Sequence, residues 1–526
     1  MHQRALLSIL ILLSGYCLLI ISLTATVRNP DYAQTALHQS QVTLTAGTAE
    51  GGIYDRNFKS FVNQQTNYYA FINPEKISIP ELLSHAREVT PIVNALKTRK
   101  PFLCQVDSSQ ISDWTILEAP ERYPEQPSAQ HILGYTLEHT GITGLESDYD
   151  TLLREKEDTA SVTYSVDALG NFLPGVEPLV SPAEYVNSGV VTTLDMDIQQ
   201  ICEEQNIPKG AVIVMDVETG DILAMASFPD YTSRNLGEAL SNPDSPLINR
   251  CLYAYSVGSI FKLMTCATAY TQGKKTFIAN CTGSAEIKSQ IFRCHKETGH
   301  GILDMKHAMI ESCNSYFVQL SQYLQPALMR ETAQNFGFGT QIPLTHSIIS
   351  SGGTLPRIKD LNLPAEMANF CFGQGLLTAT PLQITQMTCG IANDGKMPIA
   401  RLIRGVTEDG QTLTETEKAP RYARAIKKEA SYFLQNLMVA AINENPNSKA
   451  VPETVFAAGK TSTAQTGRYD ENGVEYCHAW ITGYFPIDAP KYAVTVLVED
   501  GGYGNNAAAP VFKEIADKIT ALNLQN

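Results

Sequence analysis

Between Arg4 and Arg28 the chain carries no charged side chain, and the stretch from Ala5 to Val27 is mostly apolar. As an α-helix that stretch spans about 35 Å, enough to cross a hydrocarbon core of about 30 Å. The expectation is one transmembrane anchor at residues 1–27. A cleaved signal peptide is the alternative, but the run exceeds a usual signal core, and Leu23, Thr24 and Ala25 make a poor small-x-small cleavage site. For orientation, Arg4 and the α-amine face only Arg28 across the run, a small balance toward the N-terminus inside. No second run of this kind follows, so the remainder is expected as a water-soluble body on the outer side of the membrane.

With 526 residues in all, that body is too long for a single core. Its 54 acidic against 39 basic residues give a formal charge of −15, which argues against nucleic acid as a partner and against broad adhesion to anionic lipid. Residues 28–185 are polar, with prolines scattered from Pro30 to Pro182, and read as an elongated or loosely built module. Near Val190 the pattern changes. Ala211 to Asp216 and Ile222 to Phe228 flank a Glu-Thr-Gly-Asp turn and read as a buried hairpin. Val455 to Gln465, Ala479 to Phe485 and Tyr492 to Glu499 read as three more strands, followed by a helix from about Pro510 to Leu522. Helical patterns dominate 235–445. The expected fold class is α/β of the α+β type: a five-stranded antiparallel sheet flanked by helices, with an all-helical subregion, over 186–526.

Eleven cysteines do not form a disulfide framework, because Cys202, Cys251, Cys266, Cys371 and Cys389 sit among apolar residues where a thiol acts as a small core side chain. The polar stretch from Cys281 to His300, which also holds Cys294 and His295, is different. A disulfide between Cys281 and Cys294 is favoured over zinc, since adjacent Cys294 and His295 do not fit usual ligand spacings. Two unpaired thiols are the remaining reading.

Ser259 opens an apolar, helix-like stretch, and Lys262 follows one turn later, near enough for its amine to serve the hydroxyl. A serine needs a base to become a nucleophile, and a desolvated lysine can supply one. A helix start also favours negative charge developing beside Ser259. Further on, Ser312 and Asn314 interrupt an amphipathic run with a hydroxyl and a carboxamide two residues apart. Lys460, Thr461, Ser462 and Thr463 then place a lysine among small residues on a strand, a surface on which an extended peptide can add as a further strand. Each element alone is ordinary: a surface pair, a capped helix junction, a lysine guarding a sheet edge.

In this order the three elements resemble the penicillin-binding proteins. Similar blocks run through Gly210 to Phe228, Asn249 to Lys262, Gly299 to Phe317, Phe372 to Gln383, Gly459 to Thr466 and His478 to Pro486. Upstream, Gly51 to Asn57, His131 to Tyr135 and Gly144 to Glu146 look like the N-terminal pedestal of the monofunctional class B branch. The resemblance implies a D,D-transpeptidase that cross-links peptidoglycan stem peptides through a serine acyl-enzyme and binds β-lactams. It implies Ser259 as nucleophile, Lys262 as general base, and Ser312 as a proton relay with Lys460. Asn314 positions the substrate amide, and Lys460 and Thr461 hold the terminal carboxylate. The N–H groups of Ser259 and Thr463 form the oxyanion hole. No metal or cofactor is implied. The region before 185 lacks the acidic motifs of a glycosyltransferase, so the resemblance also implies a separate glycan polymerase of the SEDS type as a membrane partner.

Some positions depart from the family pattern. Ser462 stands where glycine is usual in the third motif, so its side chain is expected to narrow the cleft or alter β-lactam acceptance. Val257 replaces a common proline, Glu50 replaces a usual arginine, and Cys313 fills the variable middle of the second motif, which sets a thiol near the cleft, with plain packing as the alternative. A D,D-carboxypeptidase, a β-lactamase or a catalytically weak scaffold recruiting a polymerase are the alternatives. A role in elongation, division or sporulation is left open, with the cysteine pair making a sporulation-type role thinkable.

Overall fold

A computed structural model describes residues 2–31, 40–111, 113–417 and 419–525; parts of the expected 28–185 module, 32–39 and 112, lie outside them. Helix α1 (His2–Arg28) is long and apolar enough to cross a membrane, and none of its apolar window is buried in the protein. The chain separates into two compact units.

The first unit takes residues 1–50, 63–124 and 156–186. It is more regular than the sequence suggested. Strands β1 (Gln41–Ala49), β2 (Gln65–Ile72), β3 (Phe102–Val106), β4 (Thr115–Glu121), β5 (Asp158–Ser165) and β6 (Leu179–Ser181) form two three-stranded sheets, ordered β1-β5-β6 and β3-β2-β4. Leu117 and Ala119 of one sheet pack on Ala160 and Val162 of the other. These strands bury only alternate residues, so their apolar signal is diluted by half and the proline count dominated the sequence reading. Glu50, flagged as a departure, is buried with its carboxylate 3.5 Å from Arg122 Nε.

The second unit takes 187–526 together with 51–62 and 125–155. Helix α2 (Met196–Glu203), capped by the Asp195 carboxylate accepting from Asp197 N and Ile198 N, leads into the hairpin β7 (Gly210–Asp216) and β8 (Ile222–Phe228). The region the sequence assigned to helices carries α3 (Lys262–Thr271), then two small hairpin sheets that pair β9 (Ala279–Cys281) with β12 (Gly301–Leu303) and β10 (Ser284–Ile287) with β11 (Gln290–Arg293). After them come α4 (Met305–Ile310), α5 (Asn314–Ser321), α6 (Pro364–Cys371), α7 (Pro381–Ala392) and α8 (Lys428–Asn443). Strands β13 (Ala458–Tyr469), β14 (Glu475–Phe485) and β15 (Tyr492–Val498) precede α9 (Gly504–Gln525). The five-stranded sheet is ordered β8-β7-β15-β14-β13 and antiparallel throughout. The sequence thus found all five strands, but α9 starts six residues before Pro510.

The sheet is covered on both faces. Ala508, Phe512, Ile515 and Ile519, spaced along one face of α9, pack with Val212, Ile481 and Val496. On the opposite face every residue of α7 is buried, and Thr388 Oγ1 lies 2.7 Å from Thr482 Oγ1. Strand β13, carrying the Lys-Thr-Ser segment, stands at a sheet edge.

Candidate active site

Ser259 lies in a tight 3-10 turn, Gly258–Phe261, that runs into α3 with Lys262 as its first residue. Gly258 has φ +62°, and a Cβ there would meet Ser462 Oγ at 2.5 Å, so only glycine fits. Its N–H donates to Gly373 O at 2.9 Å, and a Cβ on Gly373 would stand 1.9 Å from Gly258 O. The residues just upstream are also tied down. Tyr255 Oη donates to Glu499 Oε1 at 2.6 Å, and Trp480 Nε1 donates to Ser256 O at 3.1 Å. Ser462 Oγ donates to Val257 O at 2.8 Å. Ser259 itself is half-buried.

Lys262 is fully buried, and its Nζ donates to Ser312 O at 2.7 Å and to Asn314 Oδ1 at 2.7 Å, with Ser312 Oγ at 3.3 Å. The Phe317 ring centroid lies 5.3 Å away. All three bonds go to the second motif and none to Ser259. Burial, then the like charge of Lys460, pushes the Lys262 ammonium down to about 7. Lys460, 2% exposed, donates to Ser312 Oγ at 3.2 Å and to Thr461 O at 2.9 Å, and burial pushes it down to about 8. The Ser312 hydroxyl therefore stands between two amines, either of which changes charge near neutrality. Ser312 has φ +49°, a left-handed conformation costly for serine, which turns both its carbonyl and its hydroxyl to Lys262.

The structure thus joins Lys262, Ser312, Asn314 and Lys460 by direct hydrogen bonds and sets Ser259 in the same turn as Lys262. Thr461 and Thr463 are half-buried on the edge strand, and Thr463 Oγ1 accepts from Gly504 N at 3.2 Å. Ser462 departs from expectation. Its side chain is 3% exposed and its hydroxyl is spent on Val257 O, so it ties the edge strand to the nucleophile turn and does not stand in the open cleft.

The cysteine pair also requires correction. Cys281 and Cys294 are free thiols, and no disulfide joins them. The ligand atoms of Cys281, Cys294, His300 and Cys313 all lie within 4.8 Å of one another. Cys313, expected as a thiol near the cleft or as packing, belongs to this cluster because the second-motif turn folds back against the segment holding the other three. His300 Nδ1 is 3.5 Å from Cys281 Sγ and 3.6 Å from Cys294 Sγ, while its Nε2 lies 3.6 Å from Glu311 Oε2. Cys294 Sγ is 3.8 Å from Cys313 Sγ. Tetrahedral zinc with bonds of about 2.3 Å sets neighbouring sulfurs about 3.8 Å apart. Three thiols and one imidazole, with a carboxylate behind the imidazole, are a donor set that fits a structural zinc ion. Counting Cys313 with the upstream stretch was the signal available in the sequence. Tyr255, Trp480, Glu499 and Gly373, which hold the nucleophile turn, carried no chemical signal of their own.

The family described as "Penicillin binding protein transpeptidase domain" matches residues 210–517, more than half of the chain. The peptidoglycan D,D-transpeptidase MrdA of Haemophilus influenzae is 27% identical, over 93% of this chain and 87% of that one. Penicillin-binding protein A of M. tuberculosis, solved as a ceftriaxone acyl-enzyme complex, is 25% identical with a TM-score of 0.64 over 78% of this chain and 95% of that chain. A chain from a peptidoglycan synthase complex that coordinates polymerization and crosslinking shares the fold, with a TM-score of 0.71 at 22% identity over 98% of both chains. Together with a buried lysine bound to a Ser-x-Asn turn and to a second lysine on the sheet edge, these matches place the chain in the penicillin-binding protein transpeptidase family.

Proposed function

We propose that the protein is a membrane-anchored peptidoglycan D,D-transpeptidase whose acyl-enzyme forms on Ser259. The observation that carries this reading is Lys262, a buried amine pushed down to about 7 and held by Ser312 and Asn314 one helical turn from the serine. Ser259 Oγ attacks the carbonyl between two terminal D-Ala residues while Lys262 takes its proton. Charge on the carbonyl oxygen is met by the N–H groups of Ser259 and Thr463. Lys460 and the Ser312 hydroxyl deliver a proton to the leaving D-Ala amine, and Asn314 positions the donor amide. Lys460 and Thr461 bind the terminal carboxylate. An amino group of a neighbouring stem peptide then takes the acyl group and frees Ser259. β-Lactams acylate the same serine.

The apolar α1 anchors the chain, and the catalytic body lies on the extracytoplasmic side, where the stem peptides are. A glycan polymerase of the SEDS type in the same membrane supplies the strands, a reading supported by the likeness to a chain of a synthase complex. The Cys281, Cys294, His300 and Cys313 set would hold a structural zinc ion, which would fix Cys313 and with it the flanking Ser312 and Asn314. The ion takes no part in acyl transfer.

The test uses the full chain in detergent. A fluorescent penicillin labels the wild type and not Ser259→Ala on a denaturing gel, with a matching mass increment. An intact, folded wild type without label overturns the assignment. Product analysis on stem peptides separates transfer to an amine from release to water, the carboxypeptidase outcome.

A further inference from the structure

Segment 125–155 belongs to the second unit, yet at both ends the chain runs on into residues of the first. It carries Gln130 and His131, which line a cavity of about 30 Å³ together with Glu203 at the end of α2 and Asp230 just past β8. None of the four belongs to the acyl-transfer set.

The His131 side chain is 4% exposed, and its Nε2 lies 2.6 Å from Pro246 O. A carbonyl can only accept, so Nε2 carries the proton and Nδ1 of the neutral ring carries a lone pair. Burial keeps the ring neutral, pushing the imidazolium down to about 4. Nδ1 stands 3.3 Å from Asp230 Oδ1. Two lone-pair atoms thus face each other, and a proton or a metal ion between them is what makes the contact favourable. Nitrogen and oxygen atoms each about 2.1 Å from a shared ion stand about 3.0–3.4 Å apart, which matches the observed spacing. A ring held through its other nitrogen by a backbone carbonyl is also how metal-binding histidines are oriented.

Gln130 separates the proton from the ion. It is 1% exposed, its Nε2 donates to Gly134 O, and its Oε1 has no hydrogen-bond partner among the described residues. A proton shared by His131 and Asp230 leaves that buried oxygen unsatisfied, whereas a cation in the cavity serves all three groups. Glu203 adds charge without being a ligand, since its oxygens already accept from Ser128 Oγ at 2.7 Å, Ala129 N at 2.7 Å and Gln199 Nε2 at 2.8 Å. Burial, and after it the Glu203 charge, raises the Asp230 carboxyl, the mark of an anion short of a counter-charge. Arg250, whose charge reaches His131, is bound to Glu499 Oε1 at 2.9 Å. Asp230 is partly exposed and gives an ion its way in.

We propose that His131 Nδ1, Asp230 and Gln130 Oε1 bind a divalent cation, completed by water, that clamps segment 125–155 to the end of β8. Its donors are nitrogen and oxygen, whereas the cluster behind the second motif is mainly sulfur. Manganese therefore tells the two apart, because thiolates disfavour it.

The experiment titrates chelator-treated full chain in detergent with MnCl2 and reads bound Mn2+ from the loss of the free-ion EPR signal. One Mn2+ per chain is expected. Asp230→Asn, at a partly exposed position, is expected to weaken binding by at least about tenfold, and Gln130→Leu likewise, while Cys281→Ser leaves it unchanged. Mn2+ should also raise the thermal midpoint of the wild type and not that of Asp230→Asn. If no Mn2+ binds, His131 and Asp230 hold a proton instead and the proposal is overturned. It is equally overturned if Asp230→Asn binds as the wild type does, or if Cys281→Ser loses the ion.

Discussion

Two turns meet at Lys262, and they are held by opposite means. The nucleophile turn is fixed by hydrogen bonds from Gly258, Trp480 and Ser462, all to backbone carbonyls, by Tyr255 on the Glu499 carboxylate, and by two glycines that let the chain segments touch. The second-motif turn rests on a strained Ser312 with thiols and an imidazole behind it. Nothing that binds the first turn changes state with metal or oxidant. The second is built from groups that do.

The comparison can be broken most severely at the shared residue. Lys262→Ala is expected to lower β-lactam acylation by about 10²–10⁴-fold, the usual worth of a positioned general base, measured by stopped flow. A drop below tenfold would show that the second arm reaches the serine without Lys262. Next, zinc is expected to raise the thermal midpoint of chelator-treated full chain, and chelation to slow acylation about tenfold. His300→Ala abolishes the thermal response to zinc. If chelation moves neither quantity, the second arm is as self-sufficient as the first.

The pH profile sharpens the contrast further. Acylation needs Lys262 neutral, so the rate rises through about 7, and it needs Lys460 charged to hold a carboxylate, so the rate falls past about 8. Lys460→Arg keeps the cation and should remove the alkaline fall. A profile flat from pH 6 to 9 would refute both assignments. The smallest effect is expected at the first arm. Ser462→Ala strands the Val257 carbonyl and should cost about 1–2 kcal/mol in a urea melt, with the acylation rate kept within about threefold.

Much of this centre was legible in the sequence, for specific reasons. Ser259 and Lys262 lie one turn apart, so local geometry alone brings them together. The five strands announced themselves because a sheet buried on both faces needs continuous apolar runs, as in Ala211 to Met215 and Tyr492 to Val498. The first unit's sheets bury alternate residues and were missed. Ser462 was misjudged because its spacing tells that it lies on a strand but not that the strand turns its hydroxyl to Val257.

The sequence by itself determined the apolar N-terminal helix, the five strands of the larger sheet, and the residue types of the candidate acyl-transfer set, all properties of neighbours along the chain. Tertiary structure alone decided which distant groups meet. It put Lys460 within reach of Ser312, aimed Lys262 at Asn314, and gathered Cys281, Cys294, His300 and Cys313 behind the second motif. The burial that lowers both lysines is likewise a property of the folded core, because desolvation depends on what surrounds a charge in space and not on what precedes it in the chain.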